Sequence, residues 1–182
     1  DDEKELVGLV KPGSVSITQK YFKKLSPDAI DESLRKRINA FSPDLIAVGI
    51  LEDNYILADR LMAVAKEMGD IPILVGGTTP TVASQILVHN PNIDWIIQGE
   101  AEIPMTEFCS RMDHSQSLED IPGLMYKRNG QIISNPLPRY TDLDSLPHQE
   151  FHHWGDGHLV KGYDGKIMRA GFIEMSRGCM LK

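Results

Sequence analysis

Three short segments combine acids, glycines and threonines in a way that suits a ligand site, and each follows an apolar run. The segments are Leu51-Glu52-Asp53-Asn54, Gly76-Gly77-Thr78-Thr79 and Gly99-Glu100-Ala101-Glu102. A glycine pair lets a ligand approach the backbone closely, because glycine lacks a Cβ and tolerates positive φ. The same pair also suits a tight strand-to-helix turn without any ligand. The acids could act as general acids or metal ligands, although acids at such positions more often stabilise the start of the next helix.

Histidines and cysteines are the other candidates for chemistry. Four histidines and one aspartate lie close together in the second half of the chain: His148, His152, His153, Asp156 and His158. Their spacing matches no pattern of metal ligands, which favours a solvated loop. Cys109 falls in an amphipathic helical pattern and is predicted to be a small core residue. Cys179 follows Ser-Arg-Gly in a loop where a thiolate would be accessible.

The first half of the chain supplies the elements that must position these segments. Apolar, β-branched runs alternate with helical patterns, which is typical of βα units and a parallel sheet covered on both faces. We predict strands at residues 5–10, 45–50, 71–75 and 94–97, and helices at residues 27–41, 55–68, 81–89 and 104–112. The run at 45–50 is almost uniformly apolar, as in a strand buried on both faces. Ligands bind at the carboxyl ends of strands in such a sheet, so the three segments should meet there.

The second half has a different pattern. Asn129-Gly130 separates two short strand candidates at 123–127 and 131–134, which predicts a β-hairpin. Residues 135–147 are proline-containing and predict an ordered linker, and residues 148–166 predict an irregular segment. Residues 171–175 look like the first strand of a further unit.

Composition excludes several classes of protein. The 182 residues are 41% hydrophobic and 25% charged, with 19 Lys plus Arg against 26 Asp plus Glu, for a net charge of -7. A nucleic-acid partner is therefore not expected. No apolar run approaches the roughly 20 residues of a membrane span, so no membrane partner is expected either. Two cysteines and no signal segment favour the reducing cytoplasm. The first residue is not Met and the last residues follow a Gly-Cys pair, so we expect a piece of a longer protein.

Several motifs together resemble the cobalamin-binding radical SAM proteins, in order and spacing, over about residues 31–182. They are Ser42-Pro43-Asp44-Leu45-Ile46-Ala47-Val48-Gly49, Glu52-Asp53-Asn54-Tyr55, Val75-Gly76-Gly77-Thr78-Thr79-Pro80-Thr81, Asp94-Trp95-Ile96-Ile97-Gln98-Gly99-Glu100-Ala101-Glu102, Ile121-Pro122-Gly123-Leu124, Asn129-Gly130, Leu143-Asp144-Ser145-Leu146-Pro147 and Ser176-Arg177-Gly178-Cys179. No single motif is decisive, and their joint order makes the resemblance specific.

The resemblance implies a domain organisation. Residues 1–115 would form a Rossmann-like (flavodoxin-like) cobalamin-binding domain, residues 116–168 a hairpin and linker, and residues 169–182 the start of a radical SAM barrel. The family usually has one more strand and helix before the segment matched by residues 5–10. Cys179 matches the first cysteine of C-x-x-x-C-x-x-C, whose thiolates hold a [4Fe-4S] cluster that binds S-adenosylmethionine. The parent would then be a B12-dependent methyltransferase or an anaerobic cyclase.

The resemblance also implies roles for the three segments. Gly76, Gly77, Thr78 and Thr79 would lie along the nucleotide tail of cobalamin, with Gly99 and Glu100 in the next loop and residues 51–54 in the loop before. Gly49-Ile50-Leu51 stands where corrinoid proteins have S-x-L. The D-x-H-x-x-G motif is absent, since the near match at 156–162 has its glycine one residue late. We therefore expect base-off binding without a histidine on cobalt. The alternative is a flavodoxin-like ligand-binding or regulatory module without cobalamin.

Overall fold

Alternating strands and helices dominate the computed structural model, which describes residues 25–153, 159–163, 166–171 and 173–177. The helices are α1 (Pro27–Phe41), α2 (Tyr55–Met68), α3 (Thr78–Leu87) and α4 (Glu102–Asp113). The strands are β1 (Ile46–Gly49), β2 (Ile73–Gly76), β3 (Trp95–Ile97), β4 (Leu124–Arg128), β5 (Gln131–Ser134), β6 (Val160–Tyr163) and β7 (Lys166–Arg169). Short 3-10 helices occur at Glu52–Asn54, Leu143–Ser145 and Phe151–His153.

Five strands form one sheet in the order β1-β2-β3-β4-β5. The pairs β1–β2 and β2–β3 are parallel, whereas β3–β4 and β4–β5 are antiparallel. Asn129 and Gly130 both have positive φ, as the predicted two-residue hairpin turn requires. The hairpin therefore extends the sheet beyond its parallel part.

Helices cover both faces of this sheet, as the α/β prediction requires. On one face, Val75 and Ile96 are fully buried among side chains of α1, α2 and α3, including Met62. On the other face, Leu74 and Ile97 pack with Phe108 of α4, and the Phe108 and Trp95 rings meet edge to face at 5.0 Å. The predicted α/β fold is confirmed, and β2 and β3 form its centre.

Two details of the predicted packing are wrong, the burial of β1 and the position of Leu57. Ala47 and Gly49 are exposed, so β1 is not buried on both faces. Within the described residues β1 pairs only with β2, which leaves its other edge open. The helical periodicity of residues 55–68 predicts an inner stripe of Leu57, Leu61, Val64, Ala65 and Met68. Val64 and Ala65 are buried as predicted, whereas Leu57 is 47% exposed and Ala58 and Met62 are buried instead. Apolar residues occur on two adjacent stripes of this helix, Leu57 and Leu61 on one and Ala58 and Met62 on the other, and packing against β1 selects the second.

The chain divides into two compact units, Ser26–Thr141 and a second that contains the described residues from Asp142 onward. In the second unit, β6 and β7 form an antiparallel hairpin where an irregular segment was expected. Gly171 and the described residues 173–177 are not in a strand, so the strand predicted at 171–175 is not formed there. Residues 5–10, residues 154–158 and Cys179 lie outside the described residues, and the predicted domain boundaries stay a prediction.

Candidate functional site

The segments that follow β1, β2 and β3 meet at one edge of the sheet, as predicted. Gly49 and Gly76, the last residues of β1 and β2, are register partners. Ile50 N–H donates to the Gly76 carbonyl at 2.8 Å, and Thr79 N–H donates to the Ile50 carbonyl at 3.3 Å. Gly99 N–H reaches the first turn of α3. The three predicted segments are therefore neighbours at the carboxyl ends of the parallel strands.

The adjacent glycines of the second segment have different structural roles. A Cβ on Gly77 would lie 2.7 Å from the Ile50 carbonyl oxygen, and Gly77 has a φ of +112°. Gly77 is therefore required by the tight turn itself. A Cβ on Gly76 would meet only the Ile97 carbonyl oxygen, at 3.8 Å, and one on Gly49 would meet nothing within 4 Å. The backbone at Gly76 and Gly49 therefore has open space beside it, and the turn does not require glycine at either position.

Asn54 organises the first segment. Its Oδ1 accepts a hydrogen bond from Leu51 N–H at 2.9 Å, and its Nδ2 donates to the Gly49 carbonyl at 3.3 Å. Glu52 and Asp53 are exposed, and Leu51 is half-exposed. Asn54 therefore shapes the loop, while an apolar side chain and two carboxylates remain at its surface.

The helices that begin at this edge start without side-chain caps. The N-cap residues of α3 and α4 are Gly77 and Ala101, and neither accepts a side-chain hydrogen bond from the first turn. By contrast, Ser26 Oγ accepts from Ala29 N–H at the start of α1. Uncapped N–H groups carry the partial positive charge of a helix start. Thr78, an exposed residue, is the first residue of α3.

The third segment is tied to the chain that follows the hairpin. Glu100 Oε2 accepts a hydrogen bond from Thr141 N–H at 2.6 Å. Gly99 has a φ of +80°, and a Cβ there would lie 3.4 Å from Pro138 Cγ. Glu102 occupies the first turn of α4, where an acid was expected for its helix dipole. Glu100 thus has a structural partner in the linker.

Sequence reasoning missed a polar group beneath the site. Gln98 is 8% exposed, its Oε1 accepts from Ser84 Oγ at 3.2 Å, and its Nε2 donates to Ser134 Oγ at 3.5 Å. This chain of polar groups joins α3, β5 and the end of β3. The sequence signal that could have identified Gln98 is its position: it is an amide side chain directly after the apolar run 94–97, where a strand buried on both faces would favour an apolar residue.

Two other features lie outside the three segments. An apolar cleft of about 340 Å³ runs along β1 between α1 and α2, and its lining includes Gly49 and Asn54 but no residue of the second or third segment. Cys109 is exposed, so its prediction as a core residue is wrong: it occupies the solvent side of α4, next to buried Phe108. Among the helices of the described residues, none is long and apolar enough to cross a membrane.

Arginine–carboxylate pairs fasten the helices of the scaffold. Arg60 of α2 donates two hydrogen bonds from Nε and one from Nη2 to the carboxylate of Asp31 on α1, at 2.8–3.3 Å. The hydrogen bonding to Arg60 lowers the pKa of Asp31 against an opposing effect of burial. Arg111 likewise lowers the pKa of Asp120. These charged groups stabilise the fold.

Comparison with solved structures gives a fold consistent with this geometry. The chain is similar to TsrM of Kitasatospora setae, a radical S-adenosylmethionine methyltransferase solved with cobalamin and a [4Fe-4S] cluster bound. The TM-score is 0.54 at 16% identity, over 79% of this chain and 24% of that one. It is also similar to OxsB, a cobalamin-dependent S-adenosylmethionine radical enzyme, with a TM-score of 0.52 at 20% identity, over 60% of this chain and 16% of that one.

Sequence comparisons point in the same direction. An uncharacterized methyltransferase of Pyrococcus horikoshii is 25% identical over 85% of this chain and 34% of its own length. An anaerobic magnesium-protoporphyrin IX monomethyl ester cyclase of Synechocystis is 27% identical over 82% of this chain and 30% of its own length. The chain thus spans about a third of the length of these relatives. The model of the B12 binding domain matches residues 18–109, which is half of the chain and includes all three segments. This chain therefore belongs to the B12-binding domain family.

Proposed function

We propose that this domain binds cobalamin at the carboxyl ends of β1, β2 and β3, as part of a cytoplasmic radical SAM enzyme. The observation that carries the proposal is the open backbone at Gly76. The tight turn needs a glycine at 77 but not at 76, since a Cβ on Gly76 would make only an ordinary contact at 3.8 Å. A ligand that lies against the end of β2 would require a residue without a Cβ there, which explains the glycine at 76.

The groups around Gly76 fit the nucleotide tail of cobalamin. A phosphate carries negative charge, which the partial positive charge at the start of α3, where no side chain caps the helix, favours. Thr78 is exposed and offers a hydroxyl beside it, and Leu51 offers apolar surface to a base or a corrin edge. Gly49 adds a second stretch of open backbone on the neighbouring strand.

The proposal assigns each of the three segments a role in binding cobalamin. Gly76, Gly77, Thr78 and Thr79 hold the nucleotide tail, with Leu51 to Asn54 on one side and Gly99 and Glu100 on the other. Bound cobalamin supplies cobalt that can carry a methyl group between a donor and an acceptor. The domain itself binds and orients the cofactor.

Binding is tested by titrating the protein with hydroxocobalamin and recording the corrinoid absorption spectrum. Gly76→Val should fold, and its affinity should fall by about tenfold or more, which corresponds to about 1.4 kcal/mol. Gln131→Val places the same side chain at an exposed position of β5, away from the edge, and should bind as the wild type does. A folded Gly76→Val that keeps full affinity contradicts the site.

The same titration separates the proposal from its alternative. Wild-type protein that leaves the hydroxocobalamin spectrum unchanged contradicts cobalamin binding. A parallel titration with flavin mononucleotide, followed by flavin fluorescence, tests the alternative of a flavodoxin-like ligand-binding module. Binding of the flavin without the corrinoid would establish that alternative.

The proposal for the parent enzyme depends on Cys179. In it, Cys179 is the first of three thiolates that hold a [4Fe-4S] cluster, and S-adenosylmethionine binds the open iron. The parent would be a methyltransferase or an anaerobic cyclase, as its relatives are named. In the full-length parent protein, Cys179→Ala should abolish the electron paramagnetic resonance signal of the reduced cluster, while Cys109→Ala should leave it intact. A cluster that survives Cys179→Ala contradicts this assignment.

A further inference from the structure

The hydroxyl of Thr81 joins two of the glycine-containing segments. Thr81 Oγ1 donates a hydrogen bond of 2.8 Å to the Gly77 carbonyl oxygen and accepts one of 2.9 Å from Gly99 N–H. The Thr81 N–H donates to the same Gly77 oxygen at 3.2 Å. One hydroxyl thus uses both its donor and an acceptor position to connect the segment after β2 with the segment after β3.

Gly99 depends on such a contact for its orientation. Its φ of +80° lies in the left-handed region, where glycine has wide freedom to rotate. Gly99 is exposed, so its N–H could turn towards water if no protein acceptor held it. The bond to Thr81 fixes the direction of this peptide group towards α3.

A second contact joins the same two elements one turn deeper. Ser84 is three residues after Thr81 on α3, and its Oγ donates to Oε1 of Gln98, the residue before Gly99. Between them the helical conformation is interrupted at Ala83, which has φ −119° and ψ 20°. The Ser84–Gln98 contact is buried and connects α3 to the end of β3 inside the fold, whereas the Thr81–Gly99 contact lies at the exposed edge of the sheet.

We propose that Thr81 is a positioning residue that sets the separation of the Gly77 and Gly99 segments and thereby the affinity for cobalamin. The inference rests on the proposed function, because it concerns the same site. Thr81 acts through the backbone of Gly77 and Gly99, and direct contact with the ligand is not needed for its effect.

The affinity test uses three variants and hydroxocobalamin. Thr81→Val keeps the shape and β-branching of threonine but removes the hydroxyl, and we expect about tenfold weaker binding. Thr81→Ser restores the hydroxyl and should recover affinity to within about threefold of wild type. Thr106→Val is the matched control, because Thr106 Oγ1 makes the same intrahelical bond on α4, to the Glu102 carbonyl at 2.7 Å. It should change affinity by less than about twofold.

A second readout needs no cobalamin. Hydrogen exchange of the Gly99 amide, followed by NMR in the ligand-free protein, should be about tenfold faster in Thr81→Val than in wild type. The Gly123 amide, which donates to the Pro136 carbonyl at 2.7 Å, serves as the internal reference and should be unchanged. If Thr81→Val does not fold, Thr81→Ala replaces it in both measurements.

The two readouts separate the possible failures. Unchanged Gly99 exchange in Thr81→Val overturns the connection itself. Faster exchange with unchanged affinity overturns the positioning role. Wild-type protein that binds no cobalamin overturns the proposed function and the positioning role with it, while the exchange rate still reports whether Thr81 holds Gly99.

Discussion

The two ends of the parallel strands are held by different kinds of interaction. At the end where β2 begins, Asp94 Oδ2 accepts a hydrogen bond from Ile73 N–H at 2.7 Å and pairs with Lys66 Nζ at 2.7 Å. Lys66 Nζ also donates to the Ile71 carbonyl at 3.0 Å. At the opposite end, the neutral side chains of Asn54 and Thr81 hold the segments that follow the strands, and the carboxylate of Glu100 accepts from Thr141 N–H of the linker.

This difference is consistent with the ligand site proposed at the carboxyl end. Charged groups can fasten β2, β3 and α2 tightly where no ligand must fit. At the carboxyl end, hydroxyl and amide groups fix the loops through the backbone, and the glycines keep the space beside them open. The predictions below test this division between a fastened end and an open end.

The largest effect is expected at Gly77, where fold and site overlap. Gly77→Ala would place a Cβ against the Ile50 carbonyl oxygen at a φ of +112°, so we expect a loss of about 2–4 kcal/mol in the free energy of unfolding. Urea unfolding measures it. Gly49→Ala is the control, with open space at its Cβ, and should change stability by less than about 1 kcal/mol. Equal stability of the two variants would show that the turn does not require Gly77.

A smaller loss of stability is expected at the fastened end. Asp94→Ala leaves Ile73 N–H without its acceptor and removes the carboxylate that pairs with Lys66, which should cost about 1–3 kcal/mol. Asp94→Asn keeps an acceptor oxygen for Ile73 and should cost less. Cobalamin affinity, measured below the unfolding transition, should be unchanged in both variants. A large loss of affinity would contradict the division between the two ends.

The charged scaffold should also respond to acid. Because Arg60 holds the pKa of Asp31 below its unfolded value, the pair stabilises the fold above the unfolded pKa of about 3.9, and this contribution is lost as pH falls through the folded pKa. The stability difference between wild type and Asp31→Asn, measured by urea unfolding, should therefore shrink between about pH 5 and pH 2. A difference that is constant over this range would contradict the role of the pair.

The smallest effect is expected from filling the open space at Gly49 with a hydroxyl. Gly49→Ser restores the serine of the S-x-L pattern, and since a Cβ there meets nothing within 4 Å, stability should change by less than about 1 kcal/mol. A new hydrogen bond to the cofactor should tighten cobalamin binding by about fivefold. Gly49→Ala, which lacks the hydroxyl, separates this bond from added bulk. Weaker binding in both variants would show that the ligand itself occupies this space.

Local patterns were sufficient for much of the fold. The helices predicted at 27–41 and 55–68 have the observed bounds of α1 and α2, and Ser26 at the N-cap with Pro27 as the first helical residue accounts for the start of α1. The Asn129-Gly130 turn gave the hairpin. These features follow from backbone conformation and capping, which depend on a few neighbouring residues. The burial of α2 was predicted correctly for Val64 and Ala65 but not for Leu57, because its apolar residues lie on two adjacent stripes and only contact with β1 and α1 selects between them.

The site was predictable as a set of segments but not in its internal roles. The rule that ligands meet the carboxyl ends of parallel strands placed residues 51–54, 76–79 and 99–100 at one edge. The sequence could not tell that Gly77 serves the turn while Gly76 leaves space, since both are glycines in the same pair. It also could not give the partners of Thr81 and Gln98, which lie 18 and 14 residues away.

By itself the sequence determined the order of elements from α1 to β5, the apolar strands at the centre of the sheet and the positions of the glycine-containing segments, because these follow from periodicity and local conformational preference. The tertiary structure alone decided which residues of α2 are buried, which glycine is needed for the turn and which hydroxyl joins two segments. Those features depend on distances between residues far apart in the chain, and such distances are fixed only when the strands pair and the helices pack.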